Sequence, residues 1–186
     1  MKNMVLSIIA LIASLSIAYA QDPINEFNAE TMATVIKTSG FLDHYEEILV
    51  GLEITSDISK WENITYRSGS LNTPANVNAF HASEEEKLFV DAFEYGEYAF
   101  LLLYQNIDNS KIIQDSIIRL IPKKNYRVSK FPIEHDDGYN WGTFLECIIN
   151  PDNYYEPEVI AIYIINFEKK EFEEIEYDNV KIIREI

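Results

Sequence analysis

Cysteine is almost missing from this 186-residue chain, where Cys147 stands alone. No disulfide can form within it, so its core must hold without a covalent staple. Glycine and proline are scarce, six of each, which excludes collagen-like and low-complexity architectures. Positive charge is short as well: 15 Lys and Arg face 31 Asp and Glu, a formal net charge of −16. Nucleic acid and anionic lipid are bound through Lys and Arg, so this balance argues against both and favours a cationic partner. Long hydrophobic runs are also lacking. The longest, Val5–Ile17, is broken by Ser7, Ser14 and Ser16 and falls short of the about 20 apolar residues that a membrane span needs.

That short run has another meaning. Met1 and Lys2 give a cationic start, and Ala18-Tyr19-Ala20 forms a small-x-small cleavage pattern ahead of Gln21. This is the layout of a secretory signal peptide. Residues 1–20 are therefore expected to be removed, leaving residues 21–186 as a single globular domain with no membrane span after cleavage. The expected location is periplasmic or extracellular. A domain of this length buries about 70% of its unfolded surface, enough to stand without disulfides. Nothing in the pattern sets an oligomeric state.

What the chain does have is apolar and aromatic material, 47% and 13% of residues, which is a folded profile. Asn28 offers an N-cap to a helix running to Lys37, with Met32, Val35 and Ile36 on one side. After Gly40, Phe41, Leu42, Tyr45, Ile48, Leu49 and Leu52 follow a helical stripe. The expectation is two short helices, or one kinked at Gly40. Trp61 to Leu71 reads as a strand and turn, and 72–83 as a loop. Ser83 and Glu86 match a capping box, and residues 86–95 fit helix or strand, with strand preferred. From Tyr98 the pattern changes to short apolar segments split by turn residues: 98–107, 112–121, 126–133, 143–149, 158–167 and 172–183. The last two suggest a hairpin closed at Glu168-Lys169-Lys170. Connections this brief favour antiparallel pairing. The predicted class is α+β, an N-terminal helical segment packed on a mainly antiparallel β-sheet or sandwich.

Three clusters carry candidate chemistry. Glu134, His135, Asp136 and Asp137, followed by Gly138, could supply oxygen and imidazole ligands to a hard cation. They lack the alternating spacing of a calcium loop, and neighbouring side chains in an extended segment point apart, so an acidic turn is the simpler reading. Tyr139, Trp141, Tyr154 and Tyr155 fall near two loops, where exposed rings stack on sugars or anchor a protein; such residues also cap the ends of cores. Lys123, Lys124, Arg127 and Lys130 reverse the local charge. On a strand from Tyr126, Arg127 and Ser129 share one face, with Val128 and Lys130 on the other. A basic edge between Pro122 and Pro132 protects a sheet from edge-to-edge association, which is the simpler reading; the alternative is contact with an anion or an acidic partner.

Catalytic signatures are lacking: no nucleophile elbow, zinc-protease helix or phosphate loop occurs, and no cofactor is implied. Cys147, inside an apolar strand, reads as a buried thiol. Asn63-Ile64-Thr65 is a glycosylation sequon in a host that glycosylates. The expected function is an exported, non-catalytic binding protein for a protein or glycan partner, in its sharper form an acidic inhibitor or immunity-type protein. The alternative is a periplasmic or secreted hydrolase whose carboxylates are assembled from distant segments.

Overall fold

The computed structural model describes residues 26–37, 40–74, 82–135, 138–140 and 142–183, with backbone alone at Glu85, His135 and 138–140. The expected signal peptide, residues 1–20, lies outside the described residues. The protein is β-rich α+β with two helices, α1 (Ala29–Val35) and α2 (Phe41–Leu49). Asn28 caps α1: its side-chain oxygen accepts from Glu30 N–H at 3.0 Å and Thr31 N–H at 2.9 Å. Gly40 sits at the start of α2 with φ +71°, a left-handed turn that suits glycine. The irregularity in α2 falls at His44, where φ reaches −136°, and not at Gly40.

Among the described residues there are thirteen strands: β1 (Glu26–Phe27), β2 (Glu53–Ile54), β3 (Ile64–Asn72), β4 (Leu88–Tyr95), β5 (Tyr98–Ile107), β6 (Ser110–Leu120), β7 (Tyr126–Lys130), β8 (Ile133–His135), β9 (Gly138–Asn140), β10 (Phe144–Ile148), β11 (Glu158–Asn166), β12 (Glu171–Ile175) and β13 (Lys181–Ile182). They form a six-stranded sheet ordered β1-β2-β6-β5-β4-β3, a four-stranded sheet β12-β11-β10-β7 and a three-stranded sheet β13-β8-β9. All pairs are antiparallel except β1 with β2.

The six-stranded sheet is buried on both faces. Phe93, Phe100, Leu102 and Ile113 share one apolar cluster with Met32, Val35, Phe41 and Leu49 of the helices. Leu101, Leu103 and Ile117, on the opposite face, join Val128, Phe144, Tyr163 and Ile165 of the four-stranded sheet. This explains why Ala99–Tyr104 is an unbroken buried run, with no polar alternation. A third cluster, with Phe131, Leu145, Cys147, Ile162 and Ile182, covers the outer face of the four-stranded sheet.

Residues 84–86 form one 3-10 turn with the Ser83–Glu86 capping box, and strand β4 begins at Leu88. Period two wins there because Leu88, Val90 and Ala92 face one cluster while Phe93 faces the other. Two expected strands prove shorter. The 126–133 segment divides at Phe131-Pro132, where proline has no N–H to donate. The 172–183 segment ends as a strand at Ile175, turns through Asn179 (φ +52°), and resumes as β13 against β8. The β11–β12 hairpin itself closes as expected around Glu168–Lys170. Among the described residues, no helix is long and apolar enough to cross a membrane.

Candidate functional site

A cleft of about 580 Å³ opens where the edge strand β3 of one sheet passes the edge strand β7 of another. Ser68 of β3 and Ser129 of β7 join hydroxyls across it at 2.9 Å. The β7–β10 register sets which side chains reach it. Ser129 lies opposite Leu145 and Arg127 opposite Cys147, on the outer face, while Lys130 and Val128 lie opposite Phe144 and Glu146. The alternation read from sequence holds, and Lys130 reaches the same cleft from the end of the strand. Phe131, Ile149, Tyr155 and Ile182 form its apolar wall and belong to the third cluster.

Arg67, Arg127 and Lys130 line this cleft, and among the described residues no carboxylate does. Their states differ. Arg67 grips Glu94 with two prongs, Nε at 2.8 Å and Nη2 at 2.7 Å, the strong bidentate geometry. Arg127 Nη1 donates to the Tyr126 carbonyl at 2.7 Å and reaches Glu94 only at 3.5 Å. Lys130 is half-buried; its Nζ lies 3.4 Å from Asn72 Oδ1, and no carboxylate pairs with it among the described residues. Burial pushes the Lys130 ammonium below the usual lysine range. A partly buried charge without a counter-ion is costly unless something supplies one.

The candidate residues distribute unevenly. Tyr154 and Tyr155 both line the cleft; Tyr154 is 48% exposed, with ring centroids 6.3 Å from Phe131 and 5.7 Å from Tyr155. The Tyr155 carbonyl accepts from Ile182 N–H at 3.0 Å, which ties that loop to β13. The backbone of Tyr139 pairs with Glu134 on the far side of the same small sheet. Trp141, Asp136 and Asp137 lie outside the described residues, Glu134 is exposed, and His135 is placed by its backbone. Among the described residues, no group of three or more His, Cys, Asp or Glu is arranged to hold a metal ion. Lys123 meets Glu158 at 3.7 Å in solvent, and neither it nor Lys124 lines the cleft. Arg67 carried no sequence signal. It stands alone among neutral residues and enters the site through the irregularity between Tyr66 and Ser68 in the β3–β4 register.

Three other polar centres are closed. Glu146, buried between the sheets, accepts from Arg119 Nε at 3.0 Å, Tyr126 Oη at 2.7 Å and Tyr163 Oη at 3.1 Å. Asp91 accepts from Tyr66 Oη, and burial raises its carboxyl above the usual range. Burial likewise raises Asp115, which accepts from Phe172 N–H at 2.6 Å. Asp91 lies opposite Leu102 and Asp115 opposite Leu103, so they project from opposite faces of the sheet and share no cleft. Cys147 is fully buried, and burial pushes its thiol up to about 12, well away from the thiolate needed for nucleophilic work. No family model, curated protein or solved structure matches the chain.

Proposed function

We propose that the protein is an exported, non-catalytic binding protein and that the cleft between β3 and β7 holds an anionic group of its protein or glycan partner. Residues 1–20 direct it to the periplasm or the extracellular space as a cleaved signal peptide. The reading rests on one observation: in a chain with 31 acidic and 15 basic residues, the cleft between β3 and β7 is lined, among the described residues, by three cations and no carboxylate. Glu94 beneath offsets one of the three charges, so attraction remains. That attraction acts at contact, because exposed charges are screened beyond about 10 Å at 0.1 M salt. The test is calorimetric titration with polygalacturonate and with poly-glutamate at low and high salt. Binding of at least one, weakened by salt and lost in the Arg127→Ala/Lys130→Gln double variant, is expected. Binding of neither overturns the proposal.

A cationic protein partner remains a second reading, supported by a different place. The β10–β11 register passes from Cys147↔Val159 to Glu146↔Ala161, so Ile160 is the bulged residue and is 48% exposed. It lines a groove of about 490 Å³ with Glu174, Glu176 and Asp178 and no Lys or Arg. Charge reversal at Glu174 and Glu176 would slow association with such a partner and leave the polyanion titration unchanged.

A further inference from the structure

We propose that the ligand of the β3–β7 cleft is an acidic sugar, a hexuronate unit of a glycan, with Lys130 meeting its carboxylate and Tyr154 its ring face. The inference rests on the cleft being an anion site and adds the chemical class of the anion. Three features of the lining select the class.

The first is the hydroxyl pair. Ser68 and Ser129 bond to each other at 2.9 Å with either oxygen able to donate. Such a pair donates and accepts alike, which matches sugar hydroxyls, themselves both donor and acceptor. Sulfate and phosphodiesters present acceptors alone, phosphate mostly acceptors, and such anions are better served by convergent N–H groups. Here Arg67 is already committed to Glu94, and Arg127 spends Nη1 on a carbonyl.

The second is the aromatic wall. Tyr154 is 48% exposed at the cleft and meets Tyr155 edge to face, at 84° between ring planes. A ring set beside cations and hydroxyls offers a pyranose an apolar surface next to polar groups for its edges.

The third is what the wall withholds from a peptide. Extended peptides are recognised largely through main-chain hydrogen bonds. Along the cleft, the N–H of Phe131 is spent on the Thr143 carbonyl at 3.1 Å and its own carbonyl accepts Thr143 Oγ1 at 2.6 Å. Pro132, the next residue, has no N–H. That stretch of wall has no main-chain donor to give a peptide. Lys130 is half-buried and, among the described residues, has no carboxylate partner; the uronate carboxylate would be its counter-ion.

The experiment titrates the protein with trimers of galacturonate, glucuronate and mannuronate, and with maltotriose, hexaglutamate and inorganic phosphate, reading amide and tyrosine ring shifts by NMR. At least one uronate trimer is expected to bind, at least tenfold tighter than hexaglutamate or phosphate, with maltotriose giving no saturable shift. Lys130→Gln should weaken it at least tenfold and Tyr154→Ala by a similar factor. Wild-type amide dispersion in both variants would show that the fold is intact. If hexaglutamate or phosphate binds as tightly as every uronate, the sugar inference fails and the anion site stands. If maltotriose binds equally, the carboxylate role of Lys130 fails. If no anion shifts the cleft resonances, both readings fall together.

Discussion

Two regions of this molecule hold charge away from water, and they are finished differently. Around Glu146 every strong group has a partner: Arg119, Tyr126 and Tyr163 all converge on one carboxylate. In the cleft, by contrast, Lys130 has a single amide oxygen at 3.4 Å. The first arrangement is complete in the isolated chain and serves to hold one sheet against the other. The second is complete only with something added. Polar groups left short of partners are costly, so where they stand in a folded protein marks where a ligand is expected, more reliably than net charge or the sheer number of carboxylates.

The sharpest way to break this comparison is to empty the complete site. Glu146→Ala leaves the Arg119 guanidinium, itself two-thirds covered, without its carboxylate; a loss of about 3 kcal/mol in urea unfolding is expected. A change below about 1 kcal/mol would show that the network is not structural. Gly69→Ala should come next. A Cβ there would overlap Tyr66 Oη and fall 2.9 Å from Asp91 Oδ1, so Tyr66 must release a buried carboxylate. The expected cost is about 2 kcal/mol, read by the same unfolding curve, and Tyr66→Phe should remove most of the extra penalty in the double variant.

Alkali offers a third test. Burial holds the Tyr163 hydroxyl, like the Cys147 thiol, up to about 12, whereas an unfolded tyrosine titrates near 10 and an unfolded cysteine near 8.5. A raised folded pKa means the unfolded chain gives up its proton first. Stability from these two groups is therefore whole below about pH 8.5 and drains away as pH rises to about 12. Thermal melts should fall through that window, and Tyr163→Phe should flatten the upper part. The smallest effect is expected at the incomplete site. Lys130→Met removes an unpaired, half-buried charge, so stability should hold or rise by about 0.5 kcal/mol while anion binding is lost. A clear destabilisation would mean that Lys130 is held by the fold itself.

How much of this could be read from residues alone follows from where each signal lives. The helices were legible because Asn28 caps and the apolar stripe are local, and the β11–β12 hairpin because its turn is. Strand β4 was ambiguous because burial on both faces erases the alternation that marks a strand. The basic residues of β7 were legible as a cluster, and Tyr154 with Tyr155 as a pair of loop aromatics, of which Tyr154 is exposed and Tyr155 packs on the third cluster. That they meet was not, because the meeting depends on β13 capturing the Tyr155 carbonyl. Arg67 was invisible: it is far along the chain from Arg127, and only Glu94, which both guanidiniums approach, joins them.

The chain's own order within the six-stranded sheet has a kinetic consequence. Strands β4 to β6 pair each with the next through two-residue turns, so this part can form by successive short closures with little loop entropy to overcome, and β3 adds to β4 across the longer 73–87 connection. Strand β2 docks onto β6, and β1 onto β2, from far earlier in the chain, and each contributes two residues. They close a long loop for few hydrogen bonds, and they should arrive last and open first. Amide exchange should show it as a gradient across one sheet, slowest in β5 and fastest at the β1 edge, so that the sheet unlatches from one side before it melts.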